Sequence, residues 1–165
     1  MNFMNKYQQK ELIKNGGFGI IFKVIDLNNN KFYALKFIKN DINSCKTEIN
    51  IMKNIKSKYI VELKDNFYDE VNKGYCIVME LCDGSLKDIL DKNKPKGLPI
   101  ELIKKIFIQL NEGLKAMINK GFYHRDLKPD NILIKYIDSN KKNFDIKLTG
   151  FGFTINKINS NIQTH

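Results

Sequence analysis

The sequence predicts an α+β fold, in which a small β-rich lobe with one helix is followed by a mostly helical segment. Residues 10–39 alternate between apolar β-forming residues and turn residues, which is typical of antiparallel strands. Residues 99–121 instead repeat apolar residues at helical spacing. With 165 residues, the chain is long enough for one core or for two small lobes.

The first half predicts five strands and one helix. Three strands cover residues 10–39, joined by a glycine turn and an Asn-rich hairpin, and two more cover residues 59–68 and 75–80. Residues 41–55 predict the helix between them. Its apolar residues recur at helical spacing: Ile42, Cys45, Ile49, Met52 and Ile55. We therefore assign residues 1–80 to a small lobe, an antiparallel sheet plus a helix.

Helices dominate the second half. Residues 81–84 form a short polar break that we interpret as a linker, and residues 85–165 form a partial large lobe. Ser85 is typical of the N-cap of a short amphipathic helix. Pro99 and Gly121 have the positions of the start and end signals of a longer helix. The predicted apolar face of this helix contains Ile103, Ile106, Phe107, Leu110, Leu114 and Met117.

Composition excludes several classes of function. The net charge is +10, but the lysines are spread along the chain without a clustered basic face, so we expect no specific nucleic-acid partner. No apolar run is long enough for a membrane span and no secretory signal is visible, which favours a cytoplasmic or nuclear location. The three cysteines are odd in number and lack CxxC spacing, so they predict reduced thiols.

Residues 123–131 place three chemically useful side chains in one loop. Asp126 is a candidate proton acceptor, Lys128 is a cation, and Asn131 offers an amide oxygen. An ordinary Asp/Asn/Pro turn is the alternative. The apolar strand predicted over residues 132–134, the first of a hairpin, argues against that alternative because a functional loop needs a defined structural context.

A second group of residues lies in the first half. Gly16, Gly17 and Gly19 would let backbone N–H groups approach phosphates, although a plain glycine hairpin has the same pattern. Lys36 follows in an apolar strand, where a bare charge would be costly without a partner. The predicted helix over residues 41–55 carries Glu48 among polar neighbours.

Together these segments resemble the eukaryotic protein kinase domain, from residue 10 to the end of the chain. Lys128, two residues after Asp126, is the form found in kinases that act on serine and threonine. The resemblance implies a protein-kinase-like fold with the small lobe and the first part of the large lobe. It also implies ATP and magnesium as cofactors, a protein substrate with a Ser or Thr hydroxyl, and a regulatory partner.

The resemblance also implies roles for individual residues. Asp126 would accept the proton of the substrate hydroxyl, Lys128 would stabilise the transferring phosphoryl group, and Asn131 would hold the metal. Arg125 would hold a phosphorylated loop residue. The implied nucleotide-binding residues are Ile13, Gly16, Gly17, Phe18, Gly19, Ile21, Ala34, Lys36, Glu48, Met79, Glu80, Cys82 and Leu133.

Two features depart from the family pattern. Gly150 stands where the Asp-Phe-Gly segment has its aspartate, so a carboxylate ligand for magnesium is lost. The chain also stops within the expected activation segment, residues 153–165, in which Thr154, Ser160 and Thr164 are candidate phosphosites. We therefore expect a truncated Ser/Thr kinase domain with impaired activity. The alternative is a pseudokinase that acts as a nucleotide-binding or scaffold module.

Overall fold

A computed structural model describes residues 2–156 of the chain, which form two units. The first unit contains the residues up to Asn50 together with Glu62–Leu81, and the second contains Ile51–Val61 together with the residues from Cys82 onward. The elements before Leu81 are β1 (Asn2–Phe3), β2 (Tyr7–Gly16), β3 (Gly19–Asp26), β4 (Phe32–Ile38), α1 (Ile42–Asn54), β5 (Leu63–Asp69) and β6 (Gly74–Glu80). The later elements are β7 (Gly84–Ser85), α2 (Leu86–Lys92), α3 (Ile100–Ile118), β8 (Phe122–Tyr123), β9 (Ile132–Tyr136), β10 (Phe144–Leu148) and β11 (Ile155–Asn156).

The first unit is built on an antiparallel sheet with the strand order β1-β2-β3-β4-β6-β5. The sequence predicted that the first strand begins at residue 10, whereas pairing begins at Asn2. The reason is apolar burial, because Phe3 and Tyr7 are both buried in the core on this sheet. The Phe3 ring lies 5.7 Å from Phe22 and 5.9 Å from Phe37. The first residues therefore complete the sheet.

Helix α1 begins after Asp41, close to the predicted start. The Asp41 side chain accepts the backbone N–H of Ser44 at 2.9 Å, which satisfies one of the N–H groups that a helix start leaves without a partner. The helix buries Cys45 and Glu48. The three cysteines of the chain all lie within the described residues and form no disulfide, in agreement with the predicted reduced thiols.

The second unit contains helices α2 and α3, a β10-β9-β7 sheet and a β8-β11 pair. Ser85 caps α2 as predicted, and it forms a capping box with Asp88. Gly84, placed in a linker by the sequence, pairs with Ile134 and belongs to a sheet. Helix α3 begins directly after Pro99, as expected of a proline start signal.

Helix α3 differs from the prediction on one face. Phe107 was expected to be buried, but it is 64% exposed and lines an apolar groove of about 230 Å³. Gln109 is buried instead. Its amide donates to the Phe144 carbonyl at 3.2 Å and its oxygen accepts the Ile146 N–H at 2.7 Å. This polar side chain therefore attaches α3 to β10. Within residues 2–156, no helix is long and apolar enough to cross a membrane.

We predict that Gln109→Leu destabilises the protein by about 1–3 kcal/mol, because it leaves a buried N–H and a buried carbonyl without hydrogen bonds. Urea unfolding measures this loss. Asn111→Leu is the matched control, since Asn111 lies on the same helix and is exposed. Equal stability of the two variants would contradict a role for Gln109 in attaching α3.

Candidate functional site

The predicted glycine loop is a tight hairpin between β2 and β3. Gly16 pairs with Gly19, and Gly17 and Phe18 form the two-residue turn between them. Gly19 has a φ of +118°, and a Cβ there would lie 2.6 Å from the backbone oxygen of Phe37. The fold of the first unit thus requires a glycine at position 19 whether or not a ligand binds.

Lys36 and Glu48 form a buried ion pair within the first unit. The Lys36 Nζ lies 2.6 Å from Glu48 Oε2, and the residues are 7% and 1% exposed. Lys36 occupies the centre of the sheet, where it pairs with Ile21 on β3 and with Ile77 on β6. The Glu48 carboxylate holds this ammonium group in place and offsets part of the cost of burying its charge.

The other predicted nucleotide-binding residues of the first unit lie on neighbouring strands. Ala34 on β4 pairs with Met79 on β6, and both are buried. Glu80 donates its backbone N–H to the Glu62 carbonyl at 3.0 Å and accepts the Glu62 N–H on its side chain. Ile13 on β2 is exposed. Strands β2, β3, β4 and β6 are adjacent, so these positions share one sheet.

Two predicted nucleotide-binding residues belong to the second unit. Leu133 lies in β9, where it pairs with Ser85 and Lys147. Cys82 precedes Asp83, which donates its backbone N–H to the Ile134 carbonyl at 2.8 Å. Both residues are partly exposed.

Asp126, Lys128 and Asn131 are brought together in the second unit. Lys128 Nζ lies 3.0 Å from Asp126 Oδ1 and 2.9 Å from Oδ2. The hydrogen bond from Lys128, with a smaller contribution from Asn131, lowers the pKa of Asp126 below its ordinary value of 3.8. Asp126 is therefore a carboxylate at neutral pH, which a proton acceptor must be.

Asn131 contacts Asp126 through its side-chain nitrogen. The Asn131 Nδ2 donates to the Asp126 carbonyl at 2.7 Å and to Oδ2 at 2.8 Å. Asn131 ends a 3-10 turn, Pro129–Asn131, and its own carbonyl accepts the Thr149 N–H at 3.0 Å. The loop is thus fixed to the residue that precedes Gly150.

Gly150 lies directly against the Asn131 side chain. Its φ is +80°, in the left-handed region that favours glycine, and a Cβ built there would be 2.5 Å from Asn131 Cγ. A 3-10 turn, Phe151–Phe153, follows, with Phe151 fully buried. The backbone therefore places residue 150 beside the loop. The Asn131 amide occupies the space that a side chain at position 150 would need.

His124 organises this region, although sequence reasoning assigned it no role. Its Nδ1 accepts the Asp126 N–H at 3.3 Å, so Nε2 carries the proton and donates to the Thr149 carbonyl at 2.9 Å. The ring is buried and lies 5.4 Å from Phe151. One side chain thus holds both Asp126 and the segment that leads to Gly150.

Further contacts bear on the predicted regulatory residues. Thr154 is buried and donates its hydroxyl to the His124 carbonyl at 3.3 Å, so it does not present a hydroxyl at the surface for phosphorylation. Ser160 and Thr164 lie outside the described residues. Arg125 is exposed and has a left-handed φ of 63°, a backbone conformation that is uncommon for a residue with a side chain.

Curated proteins that this chain resembles carry kinase names. It is 33% identical over 162 residues to serine/threonine-protein kinase 33 of Bos taurus, with 92% of this chain and 32% of the relative covered. It is 33% identical to cyclin-dependent kinase-like 1 of Caenorhabditis elegans, covering 91% of this chain and 42% of that protein. It is 34% identical to serine/threonine-protein kinase TIO of Arabidopsis thaliana, covering 89% and 11%.

The chain therefore spans less than half the length of these relatives. The family model described as "protein kinase domain" matches residues 7–165, which is nearly the whole chain. The α+β architecture predicted from the sequence agrees with that family. From this match, the chain belongs to the protein kinase domain family, and its fold is protein-kinase-like.

Proposed function

We propose that this chain is a nucleotide-binding protein kinase domain of the Ser/Thr type, in which phosphoryl transfer from ATP to protein hydroxyls is slow. Protein kinase domains use ATP and magnesium and act on proteins. The observation that carries the proposal is the contact of Lys128 with Asp126 at 2.9 Å, since it joins a proton acceptor to a cation. A regulatory partner and a cytoplasmic or nuclear location remain expectations.

The proposed reaction assigns one task to each residue. Lys36, held by Glu48, would bind the α- and β-phosphates of ATP. The substrate hydroxyl oxygen would form a bond to the γ-phosphorus while the bond from that phosphorus to the β–γ bridging oxygen breaks. The hydroxyl proton would pass to Asp126, and Lys128 would stabilise the negative charge on the transferring group.

The residues of the second unit do not fit a magnesium ion. Magnesium prefers near-octahedral oxygen ligands and is usually held by carboxylates. Gly150 offers no side chain, and Asn131, whose Nδ2 donates to Asp126, has only its amide oxygen to offer. Within residues 2–156, no three His, Cys, Asp or Glu side chains lie close enough to hold a metal. The lack of a carboxylate at position 150 is the reason that we propose slow transfer.

Gly150 also favours a second function, that of a pseudokinase. A pseudokinase would bind nucleotide or a protein partner without turnover, and it would not need a carboxylate at position 150. The two functions differ in whether Asp126 acts chemically, which mutation can test.

Lys36→Met should weaken ATP affinity more than about tenfold, or about 1.4 kcal/mol, because it removes the proposed phosphate-binding charge. Isothermal titration calorimetry measures this. Lys39→Met is the matched control, since Lys39 is exposed just after β4.

Lys36→Met also leaves the Glu48 carboxylate buried without its partner, which costs about 3–5 kcal/mol of stability. Adding Glu48→Gln removes that charge, so the double variant should be more stable than Lys36→Met while still binding ATP weakly. If the double variant binds ATP as well as the unmodified chain, Lys36 does not bind the phosphates.

Magnesium should change the ATP affinity of the unmodified chain less than about tenfold, because position 150 supplies no carboxylate. Gly150→Asp should raise this response, measured by calorimetry with and without magnesium. Gly97→Asp is the control, because Gly97 has a similar φ of +72° with no atom near its Cβ position. A strong magnesium response of the unmodified chain would show that another ligand replaces the missing carboxylate.

Asp126→Asn should lower any measured transfer of radioactive phosphate from ATP to Ser/Thr peptides by about 10²–10⁴-fold. Because the pKa of Asp126 is lowered in the folded protein, its carboxylate persists as the pH falls, and no loss of this base is expected between pH 8 and 5. Transfer that Asp126→Asn leaves unchanged would exclude Asp126 as the base, and an absence of transfer from both proteins would favour the pseudokinase.

A further inference from the structure

Lys14 lies on the same face of the first-unit sheet as Lys36. Lys14 on β2 pairs with Ile21 on β3, and Ile21 pairs with Lys36 on β4. Residues directly opposite each other on neighbouring strands have their side chains on one face of the sheet. Glu48 contacts Lys36 on this face. Two cations therefore share one row of the sheet, with a single apolar residue between them.

An irregularity in β2 gives Lys14 this position. Leu12 pairs with Phe22, and the register then shifts so that Lys14, and not Ile13, pairs with Ile21. A β-bulge places two residues of one strand opposite one residue of its partner. In regular pairing Lys14 would oppose Ile20, which packs against the core on the other face. The bulge thus brings the lysine onto the face of Lys36.

The row becomes more exposed from the centre of the sheet toward β2. Lys36 is 7% exposed, Ile21 is half-buried, and Lys14 is exposed. Neighbouring strands lie about 4.8 Å apart, so the backbones at Lys14 and Lys36 are separated by roughly 10 Å. Two lysine side chains can reach a chain of phosphates that lies between such positions. The row is therefore open to an anionic ligand at the Lys14 end.

The charges on this face leave a need for a second cation. Glu48 already matches the charge of Lys36, so this pair brings little net positive charge to a ligand with several negative charges. Glu11 is the acidic residue of β2, and it lies in the next row of the register, where its carboxylate is 3.8 Å from Lys23 Nζ. Lys14 therefore adds net positive charge to the row that contains Lys36.

We propose that Lys14 is a second phosphate-binding cation, which together with Lys36 holds the polyphosphate of a nucleoside triphosphate. In the kinase pattern G-x-G-x-x-G-x-V, Lys14 stands at the first glycine, so its contact adds to the one proposed for Lys36. The nucleotide rests on the proposed function, whereas the anion site that the two lysines form does not.

The test measures ATP and adenosine affinity by isothermal titration calorimetry without magnesium. Lys14→Met should weaken ATP binding about tenfold, the size of one hydrogen bond between charged groups, and should leave adenosine binding unchanged. Lys14→Arg should keep the ATP affinity, because it keeps the positive charge. Lys10→Met is the matched control, since Lys10 is exposed on the same strand and donates to the Gln8 side chain.

Three results would overturn the inference. Unchanged ATP affinity of Lys14→Met would show that the lysine does not contact the phosphates. An equal loss of ATP and adenosine affinity would show a role in the shape of the strand. Tighter ATP binding by Lys14→Gly would show that the lysine obstructs the site. Because Lys14 is exposed, its variants should melt at the same temperature as Lys10→Met.

Inorganic triphosphate separates this inference from the proposed function. If the unmodified chain binds no ATP, the proposed function fails, and triphosphate binding then decides whether the two lysines form an anion site. Triphosphate that binds the unmodified chain about tenfold more tightly than Lys14→Met supports the site. Triphosphate that binds both proteins equally, or neither of them, refutes it.

Discussion

The buried ion pair of Lys36 and Glu48 is the contact on which the arrangement of the first unit depends. A lysine at the centre of a sheet is costly unless its charge is matched, so the fold must bring a carboxylate to within hydrogen-bond distance. Helix α1 does this, with Glu48 1% exposed and 2.6 Å from the lysine. The cap at Asp41 helps to define where that helix begins. The sheet, helix α1 and its cap thus together bring the Glu48 carboxylate to the Lys36 ammonium group.

In the second unit, neutral hydrogen bonds hold the backbone at Asp126 and at Thr149. His124 accepts from the Asp126 backbone and donates to Thr149, while the Asn131 carbonyl accepts from Thr149. These bonds fix the backbone directly before Gly150, so the position of residue 150 does not depend on its own side chain. A residue without a carboxylate at position 150 is therefore compatible with an intact loop.

Elements with a clear period could be predicted from the sequence, such as α3 and the strand that contains Lys36. Phe3 was missed because the first ten residues are mostly polar and show no strand period, although its ring completes a core. Gln109 was missed because its partners lie 35 and 37 residues away, and Phe107 was wrongly placed inside for the same lack of long-range information. The apolar strand around Lys36 indicated that its charge needs a partner, and the resemblance to the kinase family identified Glu48 as that partner.

The absence of a side chain at position 150 should affect turnover more than binding. A carboxylate at a phosphate site repels the nucleotide unless a metal ion lies between them, so its loss removes both a repulsion and the metal that offsets it. For the bound nucleotide these two changes oppose each other. In the transition state only the loss of charge stabilisation matters, because negative charge is then being redistributed on the transferring group. Lys36 and Lys128 are the cations that we propose for binding, and neither supplies the carboxylate that would hold a metal ion.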